Sequence, residues 1–218
     1  MSEIIIKPNK QRRRYSIEIN ENCNIVVRTP WQVSQSKIDR LLKEHDDWIQ
    51  QQLSRQMRQE SKLQDWLDPN LVYYRGKQYQ LEQTDINQIQ FKSDRIVLPK
   101  KMSKTKFLTK HAALYLPERC LDIAEQMGLI TGEIKIRRMK SCWGTCHRNR
   151  NITLNLALIQ APDVVSDYVM IHECAHLVHF DHSKQFWELV DQYTSYKKKS
   201  KQWLKDHQAV LMKLNQLS

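Results

Sequence analysis

Glycine is scarce in this 218-residue chain, at four residues, and proline is little commoner at six. A chain so poor in both lacks the composition of low-complexity disorder. No apolar run approaches the roughly 20 residues needed to cross a bilayer. The apolar part of the early stretch EIIIKPNKQRRR is also too short for a signal-peptide core, so a cytoplasmic protein off the membrane is expected. Five cysteines, Cys23, Cys120, Cys142, Cys146 and Cys174, are odd in number and scattered, which excludes a disulfide framework. Cys142 and Cys146 share the short stretch CWGTC, but no second Cys or Cys/His pair follows at finger spacing, which argues against a structural metal there. There is no Gly-rich phosphate loop, no acidic cluster suited to magnesium, no internal repeat and no Gly/Ser linker.

What is present is ordinary for a soluble globular protein: 40% hydrophobic and 27% charged residues, with length for one ample core or two small ones. The formal charge is +11. Basic residues gather at Lys7–Arg14, at Lys100–Lys106, from Lys135 to Arg150, and in YKKKSKQWLK. Such an excess attracts anions, whether nucleic acid, nucleotides or acidic surfaces, although each cluster alone reads most simply as solvated surface.

Ile17 and Ile19, then Ile25 and Val27, alternate around NENCN, which signals a hairpin ending at Pro30. A helix should follow, started by Ser36 with Asp39 and carrying a stripe of Ile38, Leu41, Leu42, His45, Trp48, Ile49 and Leu53. That stripe reads as core, with His45 a half-buried packing residue. Beyond a polar stretch, VYYRGKQYQLEQT and QIQFKSDRIVLP read as strands with a turn at Ser93 and Asp94. Ser103 to Met127 reads as a helix kinked or split by Pro117 and stopped by Gly128. EIKIRRMKSCWGTC and NITLNLALI suggest two more strands. The fold class is α+β, with a soft boundary between an N-terminal region 1–100 and a metal-binding domain 101–218.

The segment after Pro162 carries the chemistry. From Val164 to Val178 it is apolar on nearly all sides, as in a buried helix, so its polar exceptions stand out: Asp167, His172, Glu173, His176 and His179. A buried Glu needs compensation. His172 and His176, four apart, share a helix face with Cβ atoms about 5–6 Å apart and can reach one ion. Glu173 points beside them, where it can hold a water and take its proton. This is the H-E-x-x-H pattern. A catalytic zinc site needs a third ligand. His179 lies seven residues from His172, about 10 Å along the axis, so the third ligand must come from beyond the helix end. His182, just before Ser183 as N-cap of the helix KQFWELVDQY, is assigned on this geometry and on the family pattern below; Asp181 and Glu188 are its rivals. His179 reads as a neighbour of the site. Phe186 and Trp187 read as packing rather than as a substrate pocket.

The stretches SCWGTC, ITLNLAL and DYVMIHECAHLVHFDHSKQFW resemble the YgjP-like metallopeptidases, relatives of the SprT-like minimal zincins. RRRYSIEI, VVRTP, and WI followed by YYRGKQYQL extend the resemblance over nearly the whole chain. Two departures are visible: Cys174 where Leu is usual, and WGTC where WGSC is common. The resemblance implies a zincin-like core, a twisted sheet with an edge strand beside the cleft lying against the metal-binding helix. It carries His172, His176 and His182 over as zinc ligands and Glu173 as general base and acid. The strand ITLN would then border the cleft and accept an extended peptide.

The leading reading is a zinc-dependent hydrolase, most simply a metallopeptidase acting on peptide or protein. One alternative is a nucleoside-triphosphate pyrophosphohydrolase, in which the run Lys135 to Arg150 would neutralise an anionic nucleotide. Another is a nucleic-acid-associated SprT-like protease, which the charge permits and no recognised binding motif supports. A structural or storage zinc would leave Glu173 without a task. Tyr193, Arg138 and Trp143 are candidate oxyanion donors.

Overall fold

The computed structural model describes residues 3–20 and 23–214, with the side chains of 58–60, 62, 63, 213 and 214 left aside. Its contacts divide the chain into two compact units, Met1–Gln64 and Asp65–Ser218, a division N-terminal to the boundary expected near residue 100.

In the first unit, β2 (Ser16–Ile19) pairs antiparallel with β3 (Ile25–Pro30), Ile17 opposite Val27 and Ile19 opposite Ile25, which is the expected hairpin; part of its turn lies outside the described residues. β1 (Ile4–Asn9), which the sequence reading left unassigned, pairs parallel with β3 on its other side. Val26 and Val27 are buried, as are Ile38 of α1 (Gln35–Glu44) and Ile49 and Leu53 of α2 (Asp46–Leu67). The expected single helix is therefore two. Ser34, not Ser36, is the N-cap, and His45 closes α1 with φ −113° and ψ 14°. That break shifts the helical phase, which leaves His45 and Trp48 exposed rather than packed. α2 then absorbs the polar stretch that was expected to connect the elements.

The second unit holds two sheets. β4 (Leu71–Tyr74), β5 (Lys77–Thr84), β6 (Gln90–Phe91) and β7 (Arg95–Pro99) form a four-stranded sheet in the order β4-β5-β7-β6. The β4–β5 turn, Arg75-Gly76, has positive φ at both residues, as the commonest two-residue hairpin turns require. A Cβ on Gly76 would lie 2.7 Å from Cα of Pro162, so glycine also allows the turn to approach the start of the histidine helix.

α3 (Lys104–Gln126) begins where Ser103 accepts the Lys106 N–H and ends at Gly128, φ 68°. It runs through Pro117 as one helix, not two. Leu116, Cys120, Ile123 and Ala124 on either side are buried, and that packing outweighs the one hydrogen bond Pro cannot donate. β8 (Ile134–Arg137), β9 (Gly144–Cys146) and β10 (Ile152–Asn155) make the second sheet in the order β8-β10-β9. The buried β10 is thus the central strand, and β9 is the edge. A 3-10 turn (Leu156–Gln160) leads into α4 (Asp163–Ala175), followed by α5 (Lys184–Tyr193) and α6 (Lys197–Leu214).

α4 is buried among α3, α5, α6 and β9. Two bidentate ion pairs fasten its outer face. The Arg75 guanidinium donates to both oxygens of Asp163 at 2.8 and 2.6 Å, and that of Arg119 to Asp167 at 2.9 and 2.8 Å. Asp167, one of the polar exceptions in the apolar run, is therefore an anchor rather than a member of the site. Among the described residues, no helix is long and apolar enough to cross a membrane.

Candidate metal centre and cleft

His172 lies in the last turn of α4 and His176 at its C-cap, so the four-residue spacing brings both imidazoles to one face. Beyond His176 the chain turns out of the helix, and Ser183 caps α5 by accepting the Phe186 N–H at 3.4 Å. His182, immediately before that cap, turns back onto the pair. The nitrogens of His172, His176 and His182 all lie within 4.8 Å of one another, the one such group among the described residues. Nε2 of His172 and Nε2 of His182 stand 3.2 Å apart. The rivals are occupied elsewhere: Asp181 accepts the Ser183 N–H, and Glu188 pairs with Lys184 at 3.4 Å.

Each ring has a defined role in this cluster. His176 Nδ1 stands 3.0 Å from the carbonyl of His179; a carbonyl can only accept, so Nδ1 carries the hydrogen and Nε2 keeps its lone pair. His179 thus contributes its backbone, and its own ring is not in the group. Phe186, fully buried, lies 4.5–4.9 Å from all three rings, centroid to centroid, and Trp187 lies over His182 at 5.6 Å with 25° between planes. Both aromatic residues pack, as the sequence suggested. What they pack against is the site itself.

This environment disfavours the charged form of two of the imidazoles, His172 and His176. Burial, and then the neighbouring His176 and His182, hold the His172 pKa down to about 3; burial lowers that of His176 also. Neutral imidazoles are the form that binds a metal. His172 Nδ1 is a buried polar atom without a partner among the described residues, and its Nε2 faces another ring nitrogen rather than an acid. Three imidazole nitrogens brought together beside the buried Phe186 fit a divalent cation, which would take the facing lone pairs of His172 and His182.

Glu173 is 5% exposed, and burial raises its pKa to about 8, a shift that a cation nearby would oppose. Its carboxyl lies against β9 at the one residue without a side chain. A Cβ on Gly144 would stand 2.6 Å from Cγ and Oε1 of Glu173 and 2.8 Å from Cδ. Gly144 is therefore a site residue that the sequence reading passed over, although it sits in the quoted SCWGTC. The approach of β9 is fixed from behind by Asn155. Its amide donates to the carbonyls of Met139 and Cys142 at 3.1 and 2.8 Å, while its backbone N–H donates to Trp143.

His172, Glu173 and Gly144 open into a cleft of about 360 Å³, whose wall includes Trp143, Tyr168, Leu204, Lys201 and Lys205. The strand beside it is β9, not the expected ITLN, which pairs on both edges as β10. Of the candidate oxyanion donors, Trp143 lines the cleft. Tyr193 lines a separate cavity with Arg119 and Ile123, and Arg138 lines neither. Tyr168 was missed, though it lies four residues before His172 and so on the same helix face; burial and then Glu173 raise its hydroxyl pKa to about 12, which keeps it a donor. None of the five cysteines is in a disulfide, and the Cys142–Cys146 pair joins no metal-ligand group among the described residues. In the basic run, Lys135 pairs with Glu133 at 2.8 Å and Arg150 donates to the carbonyl of Ile130, so both serve the local fold.

Among curated proteins, none matches the sequence. A solved structure similar to part of the chain is the crystal structure of the metallopeptidase zymogen of Pyrococcus abyssi abylysin. The two are 22% identical, covering 43% of this chain and 95% of that one, with a TM-score of 0.39, too loose a likeness to bear on fold or activity. The sequence profile described as "YgjP-like, metallopeptidase domain" matches residues 13–207, taking in both the N-terminal strands and the histidine cluster. Over that span, nearly the whole length, the chain belongs to the YgjP-like family of metallopeptidase domains and is by family a metal-dependent peptidase.

Proposed function

We propose that the protein is a zinc peptidase in which His172, His176 and His182 hold the ion and Glu173 is general base and acid. The observation that carries this reading is the convergence of three imidazoles beside a buried carboxyl at an open cleft. The donor set supports zinc. Nε2 of His172 and Nε2 of His182, 3.2 Å apart, could both reach one ion, and a set of three imidazoles with room for water is a donor set that catalytic zinc takes. A bound zinc ion supplies Lewis acidity, acidifying water and polarising a carbonyl.

The chain's own residues do the rest. The free edge of β9 offers backbone groups to which an extended peptide adds as a further strand, bringing its carbonyl beside Glu173. The Glu173 carboxylate takes the proton of the attacking water and returns it to the departing amine. The Tyr168 hydroxyl and the Trp143 indole N–H, both on the cleft wall, are the donors at hand for the oxyanion. Phe186 beneath the imidazoles keeps water from the far side of the ligands. Twisted-sheet zincin architecture around α4 belongs to the same proposal.

Mass spectrometry of products formed from a mixture of unfolded protein and nucleoside triphosphates tests it, comparing zinc-loaded wild type with Glu173→Ala. New peptides with wild type alone are the expected result. Triphosphate cleavage that depends on Glu173, without peptides, would overturn the peptidase reading.

A further inference from the structure

The cleft wall opposite β9 carries charge that the mechanism above does not use. Lys201 and Lys205, one turn apart on α6, both line the cleft that holds His172 and Glu173. Neither has an ion-pair partner among the described residues, whereas their neighbour Lys197 is bound to Asp191 at 2.5 Å. Lys201 is also held in place: its Nζ sits 3.9 Å from the centre of the Trp187 ring, and that ring lies over His182. A cation–π contact of this kind fixes an ammonium group without neutralising it. Among the residues lining the cleft, Glu173 is the one acid, and its carboxyl is packed against Gly144. Trp143, Tyr168, Val169 and Leu204 make much of the remaining wall aromatic or apolar, with Gln208 a neutral polar group beside the lysines.

We infer that Lys201 and Lys205 form a subsite for a carboxylate of the peptide, so that the cleft prefers acidic substrates; this rests on the peptidase reading. Two unpaired ammonium groups in a partly enclosed, largely apolar cleft raise the local concentration of anions and give a charge-assisted contact where the ligand carries one. A carboxylate is the anion that a peptide substrate, on the reading above, can bring to them. The carboxylate can be an Asp or Glu side chain, or the free C-terminus of the peptide.

The test uses fluorescein-labelled peptides with a central Glu or Gln, each with a free or an amidated C-terminus. Their binding to the zinc-loaded, full-length Glu173→Gln protein is followed by anisotropy. The expected result is about tenfold tighter binding of the charged peptide, as for one charge-assisted hydrogen bond. That preference should fall to within about twofold in Lys201→Met/Lys205→Met and return in Lys201→Arg/Lys205→Arg. Sensitivity to the central residue assigns the side chain, and sensitivity to amidation assigns the C-terminus. Equal binding of charged and uncharged peptides overturns the inference, as does a preference that survives loss of both lysines. A nucleoside triphosphate held by the lysines while no peptide is would also overturn it. Cleavage by wild type is scored separately. Cleavage without charge preference removes this subsite and leaves the peptidase, whereas lysine-dependent binding without cleavage does the reverse.

Discussion

Gly144→Ala isolates the contact between the edge strand and the carboxyl of Glu173, the proposed general base. The new Cβ would lie 2.6 Å from both Cγ and Oε1 of Glu173 and 2.8 Å from Cδ, where ordinary contact begins at 3.4 Å. Relief needs a displacement of about 1 Å. The carboxyl tip alone cannot provide it, because Cγ is itself in contact and is tied to buried α4. Overpacking of this kind destabilises by about 1–3 kcal/mol. A misplacement of about 1 Å lowers a rate by roughly 100-fold. The histidines do not touch Gly144 through any of the three nearest contacts, so metal affinity should stay within a few-fold of wild type. The assay is kcat and KM on a peptide substrate together with a zinc-competition titration and thermal unfolding. Shortening the base, in Gly144→Ala/Glu173→Asp, should recover part of the stability and little of the rate. A folded Gly144→Ala protein with wild-type kcat would refute the claim that glycine is there to admit the Glu173 carboxyl. A protein that loses metal and activity together would place its effect on the ligands instead.

Zinc added to the metal-free protein should raise the unfolding temperature, as any ligand of the native state does, and His182→Ala should abolish most of that rise; an undiminished rise would remove His182 from the ligand set. Phe186→Ala should cost about 3–5 kcal/mol in chemical denaturation and weaken metal binding, because the ring supports all three imidazoles; unchanged metal affinity would make its role packing alone. Tyr168→Phe should lower kcat by about 10- to 100-fold with metal affinity retained, and equal kcat would exclude its hydroxyl as an oxyanion donor. Arg119→Met should destabilise by about 1–3 kcal/mol by stripping Asp167 of its partner, with no loss in the double variant Arg119→Met/Asp167→Asn beyond that of the single; a neutral single variant would show the pair contributes nothing.

Much of the candidate site was legible because its information is local. The i, i+4 spacing of His172 and His176 determines a shared helix face wherever the helix packs, and an apolar run around Glu173 announces a buried carboxyl before any fold is known. The N-cap signal of Ser183 placed the chain reversal that returns His182. Period-two alternation likewise gave the β2–β3 pair, and Ser103 and Gly128 the bounds of α3. Where the reading missed, the deciding forces were tertiary. The break at His45 and the passage of α3 through Pro117 depend on which side chains find a core. β10 took the centre of its sheet and left the edge to β9, because strand order follows from pairings between distant segments and not from the composition of either. Gly144 became part of the site only when that edge met α4, and Lys201 only when α6, which starts about twenty residues beyond the histidine motif, closed the cleft. Sequence alone determined which groups could do the chemistry. The tertiary structure decided which surface faces them, because proximity between remote segments is set by the packing of the whole unit rather than by any local pattern.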